Sequence, residues 1–466
     1  MRLSYVKRSP PKFCVSDFVR HRPATTFCTI NLKFNFHPAP PHKNTRMKKK
    51  NTEDVLQSTA ATELVDLGAV PHHVLKREWA LLLVLAGIQF THIMDFMVMM
   101  PLGPQFMRLF HITPQQFALL VSIYTFSAGI CGFFAAFVID KFDRKSALMV
   151  LYAGFTVATL LCALAPGYEW LLAARAVAGA FGGVMGAVVY AIIGDAIPES
   201  RRGAATGTVM SAFSFAAVAG VPTGLFLATL SDWRAPFYFL TVVSAFILIA
   251  VWHIVPAQRT HLEHKRERNP LKQLHAIFFN RTHLTAFALI ATLMFAGFSV
   301  IPFISPYMVA NVSMKESELP YLYFFGGLAT FFSSRLIGKL ADKHGKREIF
   351  ALIAVASIIP IMLLTHFPKT SVVWAVAVTA LFMVLVSGRL IPAMALISAS
   401  VEPRLRGSFM SFNSAIQQIA TGFASLMAGA IIGESASGEL LNYGMVGIVA
   451  SLATLVAIYF SSRLKK

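Results

Sequence analysis

Residues 338–347 read GKLADKHGKR, a short polar stretch between two apolar runs. A related stretch, DKFDRK, fills residues 140–145, again between two apolar runs. The aspartates of the two stretches, Asp140 and Asp342, are 202 residues apart. A second pair of polar loops, which end at Gly203 and Gly407, is 204 residues apart. Two loop signatures at nearly one spacing indicate a duplicated unit.

Apolar runs of about 20 residues flank these loops, which is the length a helix needs to cross a bilayer. The chain of 466 residues is 56% hydrophobic and only 14% charged, whereas soluble domains carry about 25% charged residues. The runs are too long for barrel strands and do not alternate. We predict an all-α membrane protein with twelve transmembrane helices in two six-helix pseudo-symmetric halves, at 78–101, 116–139, 146–165, 169–194, 206–229, 235–255, 283–310, 319–338, 348–366, 372–398, 408–431 and 442–461.

The predicted domain boundaries follow from these runs. We expect a basic, disordered tail at 1–77, an N-terminal six-helix half at 78–255 and a central loop at 256–282. A C-terminal half at 283–462 and a short tail at 463–466 complete the chain.

Basic residues are distributed unevenly among the loops. The net charge is +19, yet the Lys and Arg residues lie in short loops rather than on a nucleic-acid-binding surface. One alternate set of loops, with the C-terminal tail, holds 20 of them, and the other set holds Arg108, Arg234, Lys315 and Lys369. By the positive-inside rule we predict that both termini and the central loop are cytoplasmic.

The first 46 residues hold nine Lys and Arg residues and one acid, Asp17, with no run apolar enough for a signal peptide. Met47 is followed by three lysines. Either translation starts at Met47, or the leader is a basic cytoplasmic tail or an organellar transit peptide.

Residues 338–347 follow the Gly-x-x-x-Asp-Arg/Lys-x-Gly-Arg/Lys-Arg/Lys loop motif of the major facilitator superfamily, which the chain resembles over residues 78–462. The first copy departs from the motif, with Ala136 and Asp143 in place of glycines. Within the superfamily the chain is similar to the twelve-helix drug:proton antiporters and arabinose-efflux-type permeases. The resemblance implies proton-coupled efflux of a small organic molecule, such as a drug or sugar, by alternating access. The alternative is a proton symporter that imports a small metabolite.

The resemblance also implies a conformational role for the loop motifs. A small residue at Gly338 is expected to let two helices approach closely, and an Asp at a helix end can accept hydrogen bonds from a facing helix start. The alternative is that the motifs only fix topology. The residues concerned are Asp140, Arg144, Gly338, Asp342, Gly345, Lys346 and Arg347.

Ionisable residues inside spans are candidates for function because burying a charge in lipid is unfavourable. Asp95 lies deep in the first run, where desolvation favours its neutral form and allows proton exchange. It also resembles the first-helix Asp of the antiporters, as Arg175 resembles their fourth-helix Arg. Asp95 is either a proton carrier or a strut paired with Arg175 or another cation. His92, one turn away, either shares the proton of Asp95 or only packs.

Other polar residues in the spans are candidates for the substrate cavity. Arg389 is expected to neutralise an anionic substrate or to pair with a carboxylate. Asn413 and Gln417 suit either substrate binding or helix contacts, and Tyr124 completes the cavity set. A groove of small residues in the fifth run is expected to pack closely around a bend, and it resembles the antiporter motif in part, at Gly220, Pro222 and Gly224.

The sequence holds no Walker A loop, HExxH or GxSxG motif, so we predict no enzyme activity. The four cysteines have no metal-ligand spacing, and we expect no metal and no cofactor. The expected partners are a small-molecule substrate, protons and the lipid bilayer, with no nucleic acid. The resemblance implies a functional monomer, and we expect it in a bacterial inner membrane.

Overall fold

The computed structural model describes residues 72–135, 137–258, 270–402 and 405–464, and of residues 72–76, 140 and 270–273 only the backbone. The N-terminal leader with Met47, and residues 259–269 of the predicted central loop, lie outside this description.

Twelve long helices occupy the positions of the twelve predicted runs, and most of their ends lie within a few residues of the prediction. The helices are α1 (His72–Val98), α2 (Pro114–Ala135), α3 (Arg144–Ala163), α4 (Tyr168–Ala196), α5 (Glu199–Leu230), α6 (Ala235–Ile254), α7 (Arg281–Ala310), α8 (Leu319–His344), α9 (Lys346–Thr365), α10 (Val372–Ala399), α11 (Arg406–Ile431) and α12 (Tyr443–Arg463).

Ten of these helices are long and apolar enough to cross a membrane. The other two, α8 and α11, have 26 residues each and are therefore long enough, but they carry more polar side chains. Amide and hydroxyl groups in α11 and charged residues at the end of α8 lower their hydropathy. The chain is thus a multi-pass helical membrane protein, and the full count of twelve spans remains a prediction for these two helices.

Prolines interrupt three of the helices because a proline removes one backbone hydrogen bond. In α5 a π-helical turn, Ala216–Gly220, separates Glu199–Phe215 from Val221–Leu230. In α7 a 3-10 turn at Ile301–Phe303 separates Arg281–Phe298 from Ile304–Ala310. In α10 the break at Arg389, three residues before Pro392, separates Val372–Gly388 from Leu390–Ala399.

The two halves meet along two helix pairs, α2 with α11 and α5 with α8. A methyl group added at Gly129 of α2 would lie 2.7 Å from Ile419 of α11, and one at Gly327 of α8 would lie 2.7 Å from the carbonyl of Ala217. Such close approach needs a residue without a side chain. These glycines, and not Gly338, bring helices together at the seam.

One end of the bundle, which we call the basic end, carries the loops with most of the Lys and Arg residues. Six described glycines lie in the half of their helix that is nearest this end, and a Cβ atom added at any of them would have no neighbouring atom within 4 Å. They are Gly186, Gly194, Gly203, Gly207, Gly338 and Gly407. These six positions therefore have open space beside them, although Phe133 and Phe137 of α2 still meet Phe412 of α11 near this end.

The opposite end is closed by aromatic side chains and by an ion pair. The rings of Phe117 in α2 and Phe303 in α7 meet edge to face with centroids 5.7 Å apart. Arg108, in the short helix Gly103–Phe110, pairs with Glu316 of the other half. Both contacts join the two halves, and we call this end the sealed end.

The remaining elements are small. A second short helix, Pro270–Phe278, precedes α7, and 3-10 turns lie at Ile139–Lys141 and Glu316–Glu318. An antiparallel hairpin of β1 (Gly433–Glu434) and β2 (Leu440–Leu441) joins α11 to α12, with Gly433 opposite Leu441. This hairpin is a small addition to the predicted all-α fold.

Candidate functional site

A buried ion pair joins α1 to α4. The Nη1 atom of Arg175 donates a hydrogen bond of 2.6 Å to Oδ2 of Asp95, and a longer one of 3.3 Å to the backbone carbonyl of Asp95. Both side chains are fully buried. Asp95 lies one turn before the end of α1 at Val98, so the pair lies nearer the sealed end of the bundle. The predicted pairing of these residues is present.

Two further side chains surround the pair. Thr159 of α3 donates a hydrogen bond of 3.5 Å to Oδ1 of Asp95. The Arg175 guanidinium lies over the ring of Tyr124, 4.3 Å from its centroid, where the negative face of the ring attracts the cation. Tyr124 is itself fully buried, and its hydroxyl has no hydrogen-bond partner among the described residues. It therefore belongs to the ion-pair site.

Glycines of α4 make room for this arrangement. A methyl group added at Gly179 would lie 2.2 Å from the backbone oxygen of Tyr124, and one at Gly183 would lie 2.1 Å from that of Ala128. Helix α2 thus lies directly against α4. This contact holds Tyr124 beside the guanidinium.

His92 lies one turn from Asp95 on α1 but makes no hydrogen bond to it. Its Nε2 atom has no partner in the described part of the chain. A methyl group added at Gly182 would lie 2.8 Å from this atom and also 2.8 Å from the Tyr124 hydroxyl. His92 is therefore a near neighbour of Tyr124, and the two roles predicted for it remain open.

Arg389, fully buried in α10, makes its hydrogen bonds to described residues within the C-terminal half. Its Nη1 atom donates hydrogen bonds of 3.0 Å to Ser357 in α9 and 2.8 Å to Thr454 in α12. No carboxylate pairs with it among the residues that the structure describes. The predicted alternative of a lock to a carboxylate is therefore wrong for this conformation.

Asn413 and Gln417 of α11 have different surroundings. Asn413 is fully buried, and neither its amide oxygen nor its amide nitrogen has a partner among the described residues. Gln417 is half-buried and contacts the sulfur of Met394 in α10 at 3.8 Å. Unpaired buried amide groups are uncommon, so Asn413 remains a candidate for contact with a polar ligand.

The first loop motif is engaged with its own half. Arg144 donates a 3.3 Å hydrogen bond through Nε to Asp195 near the end of α4. Asp143, which replaces a motif glycine, caps α3 by accepting a 2.9 Å bond from the amide of Ser146. Asp140 lies in the 3-10 turn, and its side chain is outside the described part of the structure.

The second loop motif is only partly engaged. Arg347 binds the backbone carbonyl of Ser462 at the end of α12. Gly345 has a φ of 101° between α8 and α9, a conformation that favours glycine. Lys346 is the first residue of α9.

Two expectations for this motif are wrong here. Gly338 has open space around it, and the exposed Asp342 makes no hydrogen bond or ion pair within the described residues. The physical reason is that no atom of a facing helix lies within 4 Å of a Cβ added at Gly338, and the Asp342 side chain is directed to the surface.

The small residues of α5 pack against α1. A methyl group added at Gly220 would lie 3.1 Å from Phe90, and one at Gly224 would lie 2.7 Å from Val98. Pro222 lies two residues after the end of the π-helical turn at Gly220. The motif therefore forms the expected close helix contact next to a local irregularity.

Sequence reasoning missed three residues of these sites, Thr159, Ser357 and Thr454. All are hydroxyl residues inside apolar runs, and all are buried. Such residues usually bond to the carbonyl four residues earlier in their own helix, so the sequence offered no signal to separate them from the rest. Only the packing of the helices shows which ones face an arginine or a carboxylate.

The chain has two repeated halves of long apolar helices, and charged residues are buried among the helices of each half. These features define a multi-pass membrane transport protein. The chain belongs to the Major Facilitator Superfamily, whose family model matches residues 85–420 and again residues 286–466. This confirms the predicted family and fold class. The chain is therefore a transporter and not an enzyme.

Similar proteins agree with this assignment. An uncharacterized MFS-type transporter of Bacillus subtilis (strain 168), YceJ, is 25% identical over 350 residues, which are 74% of this chain and 85% of that protein. A probable sugar efflux transporter of Helicobacter pylori (strain P12) is 24% identical over 58% of this chain and 70% of that protein. The crystal structure of a D-xylose-proton symporter has a TM-score of 0.67 and 16% identity, and it covers 82% of this chain and 96% of that one.

Proposed function

We propose that this transporter is a proton-coupled exporter of a small organic molecule. Its two halves rock about the α2–α11 and α5–α8 seams to expose the site to one side of the membrane and then to the other. The observation that carries the proposal is the buried ion pair of Asp95 and Arg175.

The ion pair couples proton binding to structure because only one partner can lose its charge. Arginine stays protonated in proteins, whereas a buried carboxylate can bind a proton and become neutral. Protonation of Asp95 would leave the Arg175 charge uncompensated, and losing one partner of a buried pair costs about 3–5 kcal/mol. That energy is large enough to favour a different arrangement of α1 and α4.

The ion pair lies next to a contact between the halves. Phe96, the residue after Asp95, stacks on Tyr124 with ring centroids 5.5 Å apart and meets Phe298 of α7 at 5.8 Å. Opening the sealed end requires this second contact to separate. A shift of α1 after protonation would therefore act directly on the seal.

The direction of transport and the orientation are further parts of the proposal. The excess of Lys and Arg in the loops of the basic end favours a cytoplasmic position for that end, with both termini on the same side. The contacts of the sealed end then lie on the outer side of the membrane. A sugar efflux transporter among the relatives supports export, and the bacterial relatives support an inner-membrane location.

The binding cavity is proposed to use Arg389, Asn413, Gln417 and Tyr124, with a monomer as the transport unit. The support for the first two residues is that polar atoms of both are buried without partners. Tyr124 would link the cavity to the ion pair, because its ring carries the Arg175 guanidinium.

The test uses proteoliposomes with an internal pH-sensitive dye and an imposed pH gradient. Labelled monosaccharides, ethidium and labelled lactate serve as neutral, cationic and anionic transport probes. We expect one probe class to dissipate the gradient and to accumulate against its own gradient in the antiport direction. Asp95→Asn should bind the probe but lose gradient-driven accumulation, because it cannot exchange a proton.

Asp232→Asn is the matched control, because Asp232 lies in a loop, is only half-buried and pairs with Arg234 two residues away. It should behave like the wild type. Transport by Asp95→Asn with unchanged pH dependence would show that Asp95 is a strut, and probe-driven proton movement in the same direction as the probe would establish symport instead.

A further inference from the structure

Arg389 is a buried cation whose charge no described residue balances. Its Nη1 atom is bound by the hydroxyl oxygens of Ser357 and Thr454. Those two hydroxyls donate their own protons to backbone carbonyls one turn back, at Ala354 and Ala450. They therefore act on Arg389 as neutral acceptors and bring no negative charge.

The other edge of the guanidinium is free. The Nε and Nη2 atoms of Arg389 are buried and have no hydrogen-bond partner in the described structure. These two N–H groups form the parallel fork that binds both oxygens of a carboxylate. Leaving two buried donors unpaired is unfavourable, by about 1–3 kcal/mol or more for a charged group, so the fork is a strong site for an acceptor.

The internal duplication shows what is missing at this edge. Gly297 of α7 lies 202 residues after Asp95 of α1, the same spacing that separates Asp140 from Asp342. A methyl group added at Gly297 would lie 4.0 Å from Nη2 of Arg389 and 3.4 Å from its nearest neighbour, Val386. At this spacing the carboxylate of the first half is replaced by a glycine, which lies next to Arg389, although Arg389 itself is 214 residues after Arg175 and is not its repeat equivalent.

We infer that the free edge of Arg389 binds an anionic group, the carboxylate of the transported molecule or a free small anion, in the space that Gly297 leaves open. The inference rests on the proposed function, because it assigns the class of the substrate. A carboxylate there would occupy both free donors and neutralise the buried charge.

The experiment uses the purified full-length protein in mild detergent and measures its melting temperature. The organic probes are acetate, lactate and benzoate, and each is compared with its neutral amide. Chloride is the inorganic probe, and the buffer contains no other chloride. A ligand that binds the folded state raises the melting temperature with concentration. Carboxylates that stabilise where their amides do not identify an organic anion, and stabilisation by chloride alone identifies a free inorganic anion.

Two variants test the role of Arg389 and the role of the space beside Gly297. Arg389→Gln should reduce the affinity for the stabilising anion at least tenfold. Gly297→Asp provides an internal carboxylate at hydrogen-bond reach of the guanidinium and should abolish the anion effect while the protein stays folded. Gly297→Asn is the matched control, since it has the same size without the charge, and it should retain more of the anion effect than Gly297→Asp.

The inference is overturned if no carboxylate and no chloride stabilises the wild type, or if Arg389→Gln responds to the anion as the wild type does. Equal responses of Gly297→Asp and Gly297→Asn would also overturn it. Failure of the proposed function would give a different result. In that case Asp95→Asn would keep normal proton-coupled transport, and the anion would still bind in a manner that depends on Arg389.

Discussion

Separating the ion pair of Asp95 and Arg175 gives the sharpest test of the idea that one partner exchanges protons. The two single substitutions are not equivalent. Asp95→Asn leaves a buried arginine that cannot lose its charge. Arg175→Gln leaves a buried carboxylate that can bind a proton and become neutral.

The expected magnitudes follow from full burial of both side chains. Asp95→Asn should reduce the free energy of unfolding by about 3–5 kcal/mol, with little dependence on pH. In Arg175→Gln the folded protein holds a proton on Asp95 that the unfolded chain releases above about pH 4. Because the folded state then binds more protons, its stability falls as pH rises, by about 1.4 kcal/mol per unit. From pH 5 to pH 8 the change approaches about 4 kcal/mol.

The assay is denaturant unfolding in mild detergent, followed by tryptophan fluorescence at pH 5 and pH 8, for the wild type, both single variants and the double variant. The double variant removes both charges and should be more stable than Asp95→Asn. If Arg175→Gln is equally destabilised at both pH values, Asp95 takes up no proton when its partner is removed, and the coupling argument fails.

Three other predictions test the architecture. Gly327→Val should destabilise the protein by about 1–3 kcal/mol through overpacking against the α5 backbone, measured by melting in detergent. Gly186→Ala, inside α4 and in open space, should instead leave stability unchanged or raise it by up to about 1 kcal/mol. In a chain without its native cysteines, Phe142→Cys and Lys343→Cys should react with an impermeant maleimide from the same face of the membrane; labelling from opposite faces contradicts the two-half fold. Thr159→Val should remove the hydroxyl donor from the carboxylate and reduce stability by about 1 kcal/mol, and an unchanged transport pH profile would show that this hydrogen bond is not used in coupling.

The helices were largely predictable because the bilayer imposes length and composition on every span. Apolar runs of about 20 residues and the spacing of the loop motifs were enough to place both halves. The breaks in α7 and α10 follow from Pro302 and Pro392, although the sequence alone does not show which prolines will bend a helix and which, like Pro360 within α9, will be accommodated.

The site was predictable in its charged members only. Asp95 and Arg175 were identified because charges are rare in spans, and one expected alternative, their mutual pairing, is present. The latch expected from Gly338 and Asp342 is absent here because a loop motif acts only in the conformation that brings its partner helix close. A sequence contains no record of which conformation the protein adopts.

Each half has a buried arginine, but only Arg175 has a carboxylate partner among the described residues. We expect the two halves to have different roles in transport for this reason. Among the described residues Asp95 is the only buried carboxylate, so the N-terminal half alone can change its charge by binding a proton at a buried acid. Arg389 has a fixed charge and no counter-ion, so the C-terminal half can be neutralised only by a ligand. Proton binding at Asp95 would therefore leave an unpaired charge in the first half, whereas anion binding at Arg389 would neutralise an unpaired charge in the second half. The substitution Gly297→Asp places a carboxylate beside Arg389. It should abolish anion-dependent transport while proton binding at Asp95 stays intact.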